Sequence, residues 1–130
     1  MHRANQGDPA ICQEQRDTIL TKALLRLAET YEIKGKDLAQ IIGISESSVS
    51  RLMQKHGLIP EHKKEGELAL LLIRLYRSLS ALVGDDPEKA KLWLSSSNEY
   101  FSESPPIERI KSIEGLLEVV NYLDAMRGKI

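Results

Sequence analysis

The chain has 130 residues, of which 42% are hydrophobic and 28% charged, a composition that fits one compact domain or two small ones sharing a core. Its formal net charge of -1 excludes a strongly basic polyanion binder and leaves a local basic face as the route to nucleic acid. The longest apolar run, Leu68 to Ile73, falls far short of the ~20 residues a membrane span needs.

Residues 1 to 14 carry a glycine and a proline without periodicity, which predicts a mobile arm, and Met1 to Cys12 lacks the apolar core of a secretory signal. From Gln15 onward, Ile19, Leu20, Ala23, Leu24, Leu27, Ala28 and Tyr31 recur at the spacing of one helical face. A short helix over Asp37 to Ile42 ends at Gly43. Ser45 then caps a third helix running to about His56, with Gly57 just past its end. Pro60 breaks the chain before a long helix from about Glu61 to Val83.

Leu68, Leu72, Leu75, Leu79 and Leu82 repeat along that long helix at four-three-four-three spacing. Such a seam packs on another helix or on its own copy, and Leu70, Leu71, Ile73 and Tyr76 widen the apolar surface beyond one stripe. The expectation is an intrachain core on one face and a homodimer contact through the leucine seam on the other, with a single monomer core as the alternative. Asp86-Pro87 starts the next helix, burying Ala90, Trp93 and Leu94, and a polar stretch from Ser95 to Ser104 leads to Pro105-Pro106. Ser112 caps a last helix that turns Ile113, Leu116, Leu117, Val120 and Leu123 inward. No segment alternates as a strand would, so the fold class is all-α. Five of the six aromatic residues follow position 75, and the halves divide near residues 58 to 65. The expected organisation is an arm over 1–14, a helix-turn-helix domain over 15–60 and a helical domain over 61–130.

Ala39, Gly43, Val49 and Leu52 carry the first specific signal. A small residue lets two helices cross closely, a glycine tolerates the strained turn, and two apolar residues dock the second helix. An ordinary helical hairpin needs the same residue types, but four matches within Gly35 to Gln54, with Ile44-Ser45 in the turn, favour a DNA-reading unit. The window resembles the Xre-type, phage-repressor-like helix-turn-helix, departing from it at Gly35-Lys36-Asp37. A recognition helix here presents Ser45, Ser47, Ser48, Ser50, Arg51, Gln54 and Lys55 to double-stranded DNA. Arg51 suits guanine O6 and N7, Gln54 suits adenine, the serines suit phosphates or base edges, and Lys55 suits a phosphate. The bland alternative for Arg51 is a solvated surface charge. Residues 1 to 66 hold ten Lys or Arg against nine Asp or Glu, so steering is weak and affinity relies on two copies acting together.

The second half resembles the toxin-binding domain of the Xre/MbcA/ParS antitoxins through Trp93-Leu94, Asn98, Pro106-Ile107, Glu114-Gly115-Leu116 and the Val120 to Leu123 helix. With the helix-turn-helix, the resemblance spans about residues 15 to 130, and Phe101 to Ser104 depart from the family pattern. It implies a cytoplasmic bacterial antitoxin of a type II toxin–antitoxin pair. Its partner would be a RES-domain toxin that consumes NAD. The antitoxin would dimerise through its second half, cover the toxin's active site and repress its own operon.

Under that implication, Trp93, Tyr100 and Phe101 are candidate toxin anchors, since aromatic residues in a polar loop more often serve an interface. The alternatives stay open: Trp93 in the core, and Tyr100 and Phe101 folded back on the helices. The tail Arg127-Gly128-Lys129-Ile130 offers a carboxylate and two cations that could plug a pocket for an anionic dinucleotide.

An enzyme lacks its parts here. His2, His56 and His62 are scattered, and His62 with Glu65 forms an i, i+3 pair with no third ligand, so no metal or other cofactor is expected. Cys12 has no basic neighbour to make it a nucleophile, and as a single cysteine it fits a reducing cytosol. The competing function is a free-standing dimeric helix-turn-helix transcription repressor without a toxin.

Overall fold

The computed structural model describes residues 9–129, with side chains from Cys12 onward. Among the described residues seven α-helices follow in chain order: α1 (Pro9–Thr30), α2 (Gly35–Ile42), α3 (Glu46–Met53), α4 (Lys64–Leu82), α5 (Pro87–Ser95), α6 (Pro106–Arg109) and α7 (Ile113–Arg127), with a 3-10 turn (Glu99–Phe101) before α6. Among the described residues there is no strand.

Residues 9 to 14, expected in the arm, are the opening turns of α1. Proline is tolerated where a helix begins because its missing N–H would have no partner there. Residues 1 to 8 of the expected arm lie outside the described residues. Leu20, Leu24, Leu27 and Ala28 of α1 are buried, and Ile19 is exposed.

α1 also fastens the connection between α3 and α4. Asp17 Oδ1 accepts the Glu61 N–H at 2.8 Å, and Thr21 Oγ1 accepts the Ile59 N–H at 2.8 Å. With Pro60 and Glu61 held in this way, α4 starts at Lys64 rather than Glu61. Its first turn brings Gly66 so near Glu61 that a Cβ there would stand 2.6 Å from the Glu61 Cα.

The long helix departs most from expectation. Leu68, Leu72, Leu75 and Leu79 are all buried within one chain, and Leu82 is half-buried against the same core. α4 packs on α1, α2 and α5 and makes its most extensive contact with α7. The four-three spacing therefore marks the central core helix, and the seam is not available to a second copy. Periodicity reports that a face is covered, not what covers it. A single apolar cluster runs from Leu20 to Leu123 and crosses both halves of the chain.

Asp86 caps α5 by accepting the Glu88 and Lys89 N–H groups, and Ser112 caps α7 by accepting the Gly115 N–H at 3.0 Å. Gly115 has to be glycine for a local reason. A Cβ there would collide with the Arg109 carbonyl oxygen, which lies against the first turn of α7.

Candidate functional site

The helix-turn-helix comprises α2, the turn at Gly43 to Ser45, and α3. Gly43 takes φ +76, and its N–H and that of Ile44 both reach the Ala39 carbonyl, closing α2 with a left-handed residue. Ala39, Val49 and Leu52 are buried where α2 and α3 meet. α3 is shorter than its sequence pattern predicts, because Lys55 adopts φ +66 and the His56 N–H returns to the Arg51 carbonyl.

Seven candidate DNA residues separate into two groups. Ser47, Ser50, Arg51 and Gln54 are exposed, and their i, i+3, i+4, i+7 spacing aligns them on one face of α3, opposite Val49 and Leu52. Lys55 is exposed at the helix end. Ser45 and Ser48 are occupied locally: the Ser45 hydroxyl accepts the Ser48 N–H at 3.1 Å and donates to the Ser48 hydroxyl at 2.9 Å, and the exposed Ser47 hydroxyl also lies 3.1 Å from that of Ser45. They set the pitch at which α3 leaves the turn. A hollow of about 440 Å³ beside α3, between it and the Gly57 to Pro60 loop, is lined by Ser48, Arg51, His56 and Glu65.

In the second half, Trp93, Phe101, Tyr100 and Tyr122 form one aromatic cluster. Trp93 and Tyr122 stack at 6.3 Å between ring centroids, and Tyr100 lies 4.4 Å from Tyr122. Phe101 meets Tyr122 edge-on at 5.4 Å.

Phe101 is only 1% exposed and belongs to the core, so it is no surface anchor. The left-handed residues Ser102 and Glu103 turn the chain back sharply and drive the ring inward, with the Glu103 N–H bonded to the Asn98 carbonyl at 2.8 Å. Trp93 is half-buried, while Tyr100 is 62% exposed and Leu92 66%. Tyr122 and Leu92 escaped the sequence reading, although Tyr122 falls on the i+3 row of α7 after Val119.

Ionic contacts tie the helices at the edge of this half. Asp124 pairs with Arg74 and accepts the Ser78 hydroxyl at 2.7 Å. Burial opposes its charge, but Ser78 and then Arg74 prevail and hold it below the ordinary carboxylate range. Lys111 bridges to Asp37 at 3.1 Å, joining the α6–α7 turn to α2. Of the tail candidates, Arg127 is the last residue of α7 and its guanidinium reaches the Ser78 hydroxyl at 3.4 Å. Lys129 is exposed, and Ile130 lies outside the described residues.

Residues 13–74 match the antitoxin Xre-like helix-turn-helix domain, and residues 78–129 match the antitoxin Xre/MbcA/ParS C-terminal toxin-binding domain. The chain belongs to the Xre/MbcA/ParS antitoxin family. A chain of the crystal structure of the M. tuberculosis MbcT–MbcA toxin–antitoxin complex is similar to this antitoxin, with a TM-score of 0.64. The identity is 19%, over 86% of this chain and 96% of that one, so this likeness concerns the fold. No curated protein matches in sequence.

The antitoxin is a binding protein rather than an enzyme. Its two family domains meet between residues 74 and 78, inside α4, so the central core helix is shared by both. No helix among the described residues is long and apolar enough to cross a membrane.

Proposed function

We propose that this antitoxin neutralises a RES-domain, NAD-degrading toxin by covering its active site, and represses its own operon as a homodimer bound to palindromic DNA. The observation that supports the reading is that two exposed surfaces lie in family domains sharing one core helix, α4. At one end is the exposed row Ser47, Ser50, Arg51 and Gln54. At the other is an aromatic cluster that leaves Tyr100 and Leu92 in solvent.

On the DNA side, Arg51 and Gln54 face base edges in the major groove and Lys55 a phosphate, while Ser45 and Ser48 serve the cap. On the toxin side, Tyr100, Trp93 and Leu92 form the anchor, and the tail from Arg127 through Lys129 to Ile130 enters the NAD site. With the leucine seam inside the core, the large apolar side chains that α4 and α7 leave more than 40% exposed for a second copy are Leu70, Ile113 and Leu117. The domains divide functionally near residue 60, with α4 onward serving dimerisation and the toxin.

The test is coexpression with the neighbouring RES-domain reading frame, followed by copurification and measurement of cellular NAD. Recovery of a complex that preserves NAD supports the reading. A chain that binds its promoter but captures no toxin would instead be a free-standing repressor.

A further inference from the structure

An open cleft of about 530 Å³ lies between the second half of α1, the second half of α4 and the end of α7. Arg26, Arg77 and Arg127 approach it from those three helices, and Tyr31 and Tyr76, with ring centroids 4.4 Å apart, form part of its wall. Among the described residues none of these arginines has an ion-pair partner. The one carboxylate of the lining, Asp85, accepts the Ser80 hydroxyl at 2.8 Å. Three guanidiniums against one carboxylate make the cleft a cationic surface in a chain whose net charge is negative.

The fold argues against DNA as the occupant. Leu25, Ala28 and Glu29 of α1 line a hollow with Met53 and Lys55 at the end of the recognition helix. Ala23, Arg26, Leu27 and Thr30 line the cationic cleft. At 3.6 residues per turn these two sets lie on different sides of α1, so the cleft faces away from the recognition helix. Its shape argues against a small ligand, because such sites enclose most of the molecule they bind and this cleft lies open to solvent. Guanidiniums presented along a broad, aromatic-walled trough suit a row of carboxylates on a polypeptide, each able to accept a paired N–H fork.

We infer that this cleft seats an acidic segment of the toxin partner, so that the toxin contact extends beyond residues 78–129 onto α1 of the helix-turn-helix domain. The inference rests on the toxin-neutralising reading. It assigns Arg26 and Arg77 to the interface, Arg26 from outside the toxin-binding domain and Arg77 from its very edge.

The experiment measures toxin affinity for the full chain and for Arg26→Glu, Arg77→Glu and the double substitution, by calorimetry at low and high salt. Arg26→Gln and Arg77→Gln serve if the reversals impair folding. Tyr100→Ala, on the aromatic cluster, is the comparison. The double reversal should weaken binding about tenfold or more and flatten its salt dependence.

Unchanged affinity and salt dependence in both the Glu and Gln series, with Tyr100→Ala still weakening the complex, would overturn the cleft and leave the neutralising reading intact. A wild-type chain that fails to bind the toxin would overturn both. A double reversal that changes only the sedimentation mass of the antitoxin alone would make the occupant a second copy and overturn the inference.

Discussion

Thr21 and Ile59 are joined across 38 positions of the chain by a buried hydrogen bond, in which the Ile59 N–H donates to the Thr21 hydroxyl oxygen at 2.8 Å. The same hydroxyl donates to the Asp17 carbonyl at 2.7 Å, so one side chain links α1 to the loop between α3 and α4. Thr21→Val keeps the shape and leaves the Ile59 N–H buried without an acceptor, which should cost about 1–3 kcal/mol. Thr21→Ser, which retains the oxygen, should recover most of it. Equal urea midpoints for the Val and Ser variants would refute this role.

The neighbouring Asp17 makes that fastening pH-dependent. The Glu61 N–H, then the Gln13 amide, bind its carboxylate and hold its pKa below the ordinary 3.8. A carboxyl lowered in the folded state contributes stability that is complete above the ordinary value and is lost as pH falls through the folded one. Asp124 has the same sign. Stability should thus be flat near neutrality and fall below about pH 4. Asp17→Asn should lower the neutral plateau and make the acid limb shallower. Denaturant midpoints between pH 3 and pH 7 check both features, and an unaltered acid limb would clear Asp17 of any part in the acid sensitivity.

The parts of the molecule legible in the sequence are those whose constraints are local. Ala39, Gly43, Val49 and Leu52 had to meet the geometry of one tight turn, and Asp86 and Ser112 had to cap the helices they precede. The leucine seam was legible as a covered face, but its covering helices, α1 and α7, lie far away in sequence. Phe101 was illegible because nothing periodic surrounds it: its burial depends on the left-handed pair Ser102 and Glu103 and on where α5 and α7 stand. The start of α1 at Pro9 was missed although Asp8-Pro9 repeats the Asp86-Pro87 signal, since few apolar residues follow to reinforce it.

Phe101 and Tyr100 are adjacent in sequence and should behave oppositely. Phe101→Ala empties a core position and should cost about 3–5 kcal/mol of stability. Tyr100 is 62% exposed, so Tyr100→Ala should shift stability by no more than about 1 kcal/mol. As an interface anchor its loss should nevertheless weaken the toxin complex by about 2 kcal/mol or more. Thermal melts and titration calorimetry separate the two effects, and a Tyr100→Ala complex of full affinity would remove Tyr100 from the interface.

Arg51 and Lys55 should part company on DNA. Arg51 lies in the exposed row of α3, so Arg51→Ala should cost roughly 1–3 kcal/mol on the operator and relax preference at one base pair per half-site. Lys55 stands past the helix end, and Lys55→Ala should weaken all sequences alike and reduce the salt slope by about one for each phosphate it neutralises. Gel-shift titrations on operator and random DNA at several salt concentrations decide it. Equal losses from both substitutions on both DNAs would reduce Arg51 to a phosphate ligand.

The tail tests how the toxin is inhibited. Arg127 ends α7 with its guanidinium near Ser78, whereas Gly128 and Lys129 are exposed and are held by single backbone bonds to Asp124 and Met126. Deleting Gly128 to Ile130 therefore leaves the core intact among the described residues and should leave the melting temperature nearly unchanged. If the tail carries a carboxylate and Lys129 into a pocket shaped for an anionic dinucleotide, the truncated chain should still copurify with the toxin through its remaining surface. It should fail to protect NAD in cells that express both proteins. Full protection at equal expression would show that the helices alone occlude the site. Loss of the complex together with protection would make the tail an anchor rather than a plug.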